Sequence, residues 1–203
     1  MARRVVETLR QRNYFAVLVQ LSFVVQTPNR INAIHLKHKD QMRDHRFVAA
    51  HRGGPLDKDS HILLARWAAD CADEVLHFFT QASDDERPKH AIEIARAWAN
   101  GEVKTGVAMK ASVASHAAAR KTTDKAATAA ARAAGQAVAT AHFADHCMGA
   151  LLYELKGLEA AGLNSDTELQ TRLNRLPDHL RDLVESGVLV RLLPLGIKAS
   201  LAP

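Results

Sequence analysis

The sequence predicts an all-α protein, an irregular bundle of about five helices around a long Ala/Gly-rich central helix. Three observations carry that expectation. From Asp57 onward apolar residues recur at spacings of three and four, the period of a helix buried on one side. After residue 50 no useful stretch alternates apolar and polar with the period of two that a half-buried strand needs. One segment, from Thr123 to about Ala161, is built largely from alanine and glycine. At 203 residues and 47% hydrophobic content the chain can bury one sizeable core and is short for two domains.

Taken in order, DKDSHILLARWAADCADEVLHFF opens with Asp and Ser, whose side-chain oxygens cap a helix start. It then repeats Leu63, Leu64, Trp67, Cys71, Val75 and Phe78, and so reads as one amphipathic helix. The polar cluster TQASDDERP ends it. Pro88 opens a second helix over PKHAIEIARAWAN, which Asn100 and Gly101 close. A third runs from Thr105 to Arg120, and a fourth from Thr123 to about Ala161, stopped by Gly162. In the fourth, Ala131, Gly135 and Ala139 stand four apart, a row of small side chains that admits another helix backbone. Such a helix suits either the centre of a core or a self-association seam between copies. DTELQTRLNRLPDHLRDLVESG adds one or two short helices around Pro177, and HRGGP at His51 to Pro55 reads as a turn.

Charge divides the chain. Residues 1–41 hold seven Lys or Arg against two acids, which is the whole net charge of +5, leaving twenty of each sign in residues 42–203. The body has no basic excess to neutralise phosphates, so nucleic acid is not an expected partner. The apolar run YFAVLVQLSFVV is twelve residues with Gln20 and Ser22 inside, too short to span a membrane, and VVQTPN offers no signal-peptidase site. We therefore expect residues 1–41 to be a poorly structured basic extension before Met42 as initiator, residues 42–186 to be the helical domain, and residues 187–203 to be an apolar tail without an assigned role. Cys71 and Cys147 both lie in apolar helical patterns, which implies no disulfide framework and fits a reducing cytoplasm.

Chemistry could reside in one constellation. On a continuous fourth helix, Gly135, Ala139, His142, His146, Ala150 and Tyr153 share a stripe at about 100° per residue, with Asp145 on its flank within reach of His142. On the first helix, Glu74 falls near the middle of the apolar face and Asp70 at its edge. A carboxylate among Trp and Phe is costly unless paired, which makes the two histidines natural partners across the bundle. Three readings stand side by side: a buried polar network fixing helix register, a metal site using Glu74, His142 and His146, and acid/base catalysis by a His and carboxylate pair. His142-x-x-x-His146 has one-turn ligand spacing and Glu74-x-x-His77 echoes a di-iron element, but the ligand count falls short of that class. No nucleophile elbow, phosphate loop, CxxC pair or HExxH occurs, so no complete catalytic motif and no cofactor are expected. Trp67 and Trp98 read as core anchors, Glu93 with Lys89 and Arg96 as a solvated face, and His90 and His116 as surface or rim residues.

In that order, MRDHRFVAAHRGGPL, WAADCADEVL, ERPKHAIEIARAWANGE and AAGQAVATAHFADHCMGALLYELKGL, followed by LP, resemble the Imm-5-like immunity proteins of bacterial polymorphic toxin systems. The resemblance covers roughly residues 42–185. It implies an all-α cytoplasmic protein that binds a cognate toxin domain and blocks it. The motif positions that carry over are Trp67, Asp70, Cys71, His142, Asp145 and His146, without a catalytic role attached. Gln136 stands where the family usually shows His, which speaks against an essential metal ligand at that position.

Overall fold

The computed structural model describes residues 44–195. The basic segment 1–41 and the end of the apolar tail lie outside the described residues. Two short 3-10 turns, His45–Phe47 and Ala50–Arg52, precede eight α-helices. The HRGGP turn is present: Gly53 takes a left-handed φ of 83° and the chain folds back so that Ala50 N donates to Leu56 O at 2.7 Å.

Helix α1 (Lys58–Glu74) starts where Asp57 accepts from the Ser60 amide at 2.8 Å. It stops at Val75, and α2 (Leu76–Ala82) sets off in a new direction, so the single helix expected through Phe79 is two. This break changes which residues share a face. The buried arc of α1 is Leu64, Trp67, Ala68, Cys71 and Ala72, with Glu74 exposed at its edge. Helices α3 (Arg87–Ala99), with Pro88 in its first turn, and α4 (Thr105–Ala119) fall where the sequence places them.

The expected fourth helix is two helices. Helix α5 (Lys125–Ala139) and α6 (His146–Ala160) are joined by a turn over residues 140–145 and pack along each other as an antiparallel hairpin. Their register is visible in the glycines of α6: Gly149 faces Gln136 and Gly157 faces Ala129, pairs that straddle Phe143 symmetrically. Ten alanine, glycine or valine neighbours of Ala126 along α5 are buried with it, leaving only a narrow polar edge at Lys125, Thr128, Arg132 and Gln136, the pattern of a central helix. It packs against α1, α2, α3, α4 and α6. The central role assigned to the long helix thus belongs to α5 alone.

Close approach around α5 is secured by particular contacts. From α4, Ser115 Oγ donates to Ala131 O at 2.7 Å and Ser112 Oγ to Gly135 O at 2.8 Å. Between them the half-buried His116 ring lies over Gly135, where an added Cβ would come within 2.7 Å of Cε1. Helices α7 (Asp166–Leu173) and α8 (Asp178–Leu195) close one side against α6. Helix α8 runs on through residue 187, where we had placed the start of the tail, and Arg191 returns to the α5–α6 turn.

Two glycines give a test of this packing. Gly135→Ala is expected to lower stability by about 1–3 kcal/mol, because the imidazole has to move. Gly106→Ala, where an added Cβ meets open space, should hold stability or raise it slightly. Urea denaturation of both variants checks the contrast.

Candidate functional site

The one charged pair sealed in the interior of the described residues was not among the sequence candidates. Glu154, fully buried on α6, accepts from Arg172 Nε of α7 at 2.7 Å. Arg172 also reaches Glu168 at 3.1 Å and Glu74 at 3.4 Å, and Trp67 Nε1 donates to its backbone carbonyl at 2.8 Å. Burial pushes the Glu154 carboxyl up to about 7 from an ordinary 4.5, while the Arg172 guanidinium pulls it the other way. The Cys71 thiol lies beside this carboxylate, and burial raises it well above its usual value. A thiol held protonated in this way is a packing group, not a nucleophile.

The predicted site residues are placed as follows. Glu74 is not in the middle of a core face: it is 42% exposed and bound by Arg175 at 3.0 Å as well as by Arg172. Asp70 is exposed and, with Asp73, grips Arg96 of α3 at 3.0 and 2.9 Å. Arg96 is therefore part of a helix–helix bridge instead of pairing with Glu93. Neither carboxylate meets a histidine, so the network expected between the first and fourth helices is not formed. The reason is geometric: Glu74 lies at the exposed end of α1, and His142 sits in the α5–α6 turn while His146 opens α6, so the two histidines do not share a helix stripe.

His142 and His146 do come together at the α5–α6 junction, with Asp145 beside them in sequence. The two imidazoles lie 5.0 Å apart between centroids, and His146 Nδ1 hydrogen-bonds Gln136 Oε1 at 2.7 Å. The partner of Asp145 is Arg191 at 3.0 Å, which also caps the Asp145 carbonyl at 2.9 Å. Arg52 stands 4.5 Å over the Phe143 ring. Beneath the turn, buried His61 of α1 bonds Thr140 O through Nε2 at 2.6 Å, and burial lowers its pKa. No group of three or more His, Cys, Asp or Glu among the described residues is placed to hold a metal ion, and the candidate set Glu74, His142 and His146 is not assembled.

Sequence reasoning could have found Glu154. In CMGALLYELKGL it shares a helical face with Cys147, Leu151 and Leu158, a more apolar setting than that of Glu74. The turn at residues 140–145 had no such signal.

These observations define a class: a helical bundle whose interior carboxylate is bonded to an arginine and whose histidines His61 and His146 are bonded to a backbone carbonyl and a glutamine. The sequence carries the finer identity. It matches the model of the Imm-5 like putative immunity protein family over residues 54–179, and the chain belongs to that family. No curated protein and no solved structure matches it. No helix among the described residues is long and apolar enough to cross a membrane.

The Glu154 pair predicts a pH dependence. Its folded value lies above its unfolded one, so its contribution to stability is fully present below about 4.5 and lost as pH rises through about 7, on the order of 3 kcal/mol. Glu154→Gln should flatten the melting temperature across that window. Arg172→Ala, which strands the buried carboxylate, should cost about 3–5 kcal/mol, whereas Arg96→Ala at the exposed bridge should cost less than about 1 kcal/mol. Thermal melts from pH 4.5 to 8 read both effects.

Proposed function

We propose that this chain is the antidote of a bacterial polymorphic toxin system, a cytoplasmic protein that binds its cognate toxin domain one to one and blocks it by occlusion, without chemistry of its own. The observation that carries this reading is the family match, which extends from Gly54 to His179 and so spans α1 through α7. The placement of the charged residues supports it. Asp70, Glu74, Asp145 and Glu154, the carboxylates with the best claim to catalysis, are each bonded to arginine. At Asp70, Glu74 and Asp145 the guanidinium makes the carboxylate a poor general base and a useful strut, while Glu154, raised to about 7, is sealed from any substrate by its complete burial. Occlusion asks only for a rigid surface, and a bundle locked around a small-residue helix provides one.

Titration distinguishes the ways of neutralising a toxin. With the toxin domain encoded beside this gene, the full chain is expected to abolish toxin activity linearly, reaching completion at one equivalent, and to rescue growth on co-expression. Complete inactivation by about a tenth of an equivalent would mean turnover in place of occlusion. Full toxin activity in the presence of excess chain would overturn the antidote reading itself.

A further inference from the structure

Helix α4 is apolar on both sides. Its inner face, Ala108, Ala111, Ser112, Ser115, Ala118 and Ala119, is buried against α3 and α5. Its outer face is uncovered and still apolar: Met109 is 48% and Val113 68% exposed, with Val107 further round at 43%. Met109 and Val113 stand one turn apart and form a ridge, flanked by Lys110 and continued by Arg120. Within Thr105–Ala119 there is no acid, and Lys110 is the single Lys or Arg.

Beside the ridge lies a groove of about 670 Å³ between α5 and α6, lined by Lys125, Arg132, Tyr153 and Lys156 with one acid, Glu159. Ridge and groove adjoin through His116. Its ring lies on Gly135 of α5, and the charges of Arg132 on α5 and Arg120 at the end of α4 both act on it. Residues 103–144 contain six Lys or Arg and a single acid, Asp124, whose carboxylate caps α5 by accepting from the Ala127 amide. Lys110, Lys125, Arg132 and Lys156 belong to no ion pair among the described residues. On the opposite side of the charge balance, Asp70, Asp73, Glu74 and Asp85 are all held by the chain's own arginines.

We infer that the α4 ridge and the adjoining α5–α6 groove are the surface that receives the toxin domain, and that the toxin meets it with an apolar slot bordered by Asp and Glu side chains. The inference rests on the antidote reading above and adds to it the surface and the chemistry of the partner. Charge selects the occupant. A second copy docking by the same face would set Lys110, Arg132 and Lys156 against their equivalents, with Glu159 the single acid in the groove lining to offset them. A phosphate backbone calls for cations across the whole face, whereas the centre here is Val and Met. An apolar centre with a charged rim is the anatomy of a protein interface.

The test measures affinity of the full chain for the toxin domain encoded beside its gene. Val113→Glu, at a site too exposed to disturb the core, is expected to weaken binding about thirtyfold or more. The charge-reversal pair Lys110→Glu with Arg132→Glu is expected to do the same and to remove most of the salt dependence of the wild-type affinity. Leu163→Glu, at an exposed apolar residue outside the ridge and the groove lining, should leave affinity within about twofold. Circular dichroism and melting confirm that each variant is folded. If the wild type neutralises the toxin and both ridge and groove variants bind it equally well, the surface assignment is overturned and the antidote reading stands. A wild-type chain that does not bind the toxin at all overturns both. Self-association of the chain alone, or binding of duplex DNA, that the charge-reversal pair abolishes would reassign the surface and overturn the inference.

Discussion

Alanine has little to bury beyond its own helix backbone, so α5 stabilises the bundle only if its neighbours come close on every side but its polar edge. That requirement organises the molecule. Close backbones bring peptide carbonyls within reach of short side chains, and Ser112 and Ser115 use this by donating to carbonyls of α5 across the helix interface. The same closeness makes Gly135 the seat of the His116 ring and gives α6 glycines at the two positions opposite Gln136 and Ala129. A core of this kind gains less from each side chain than a leucine core, and compensates through dispersion over many short contacts. It is correspondingly intolerant of added volume.

The α5–α6 hairpin follows from the same economy. A continuous helix over residues 123–161 would present its alanines to solvent along half its length, whereas folding it back lays one small-residue face on the other. Nothing in residues 139–146 breaks a helix by itself, since neither proline nor glycine occurs there. The break is held by distant groups: His61 takes the Thr140 carbonyl and Arg191 takes that of Asp145, removing acceptors that a continuing helix would need. For this reason the helical class, most helix starts and the central small-residue segment were legible in the sequence, and the hairpin was not. Local capping residues announce themselves. Carbonyls captured from residues 46 and 79 positions away do not.

The misplacement of the polar site has the same origin. A helical wheel drawn through an unseen break assigns faces that the chain does not have, so His142 and His146 were projected onto one stripe; Glu74 was drawn into a core because Leu63, which is 37% exposed, and Phe78, beyond the end of α1, were counted on its face. On α6, drawn from its true start at His146, the wheel singles out Glu154, the carboxylate that is fully buried. Its partner Arg172 lies on a short helix eighteen residues later and completes a junction of α1, α6 and α7 through Trp67, Glu74 and Glu168. Replacing such a pair by apolar residues is often neutral, so its value lies less in net stability than in forbidding other arrangements of these three helices.

Zero net charge over residues 42–203 conceals a strong polarity. Asp70, Asp73 and Glu74 of α1 and Asp85 before α3 are bonded within the fold, while Lys110, Lys125, Arg132 and Lys156 of α4, α5 and α6 are in no ion pair among the described residues. Free cations of one sign draw an oppositely charged partner in from a distance, and the apolar ridge between them then decides whether the encounter lasts. The ridge is well suited to that role. Its backbone is fixed from below by two serine bonds to α5, and Val113 is β-branched, with little rotamer freedom left to lose on contact. A surface that is rigid before it meets its partner keeps more of its contact energy as affinity, which is what an inhibitor acting by occlusion requires.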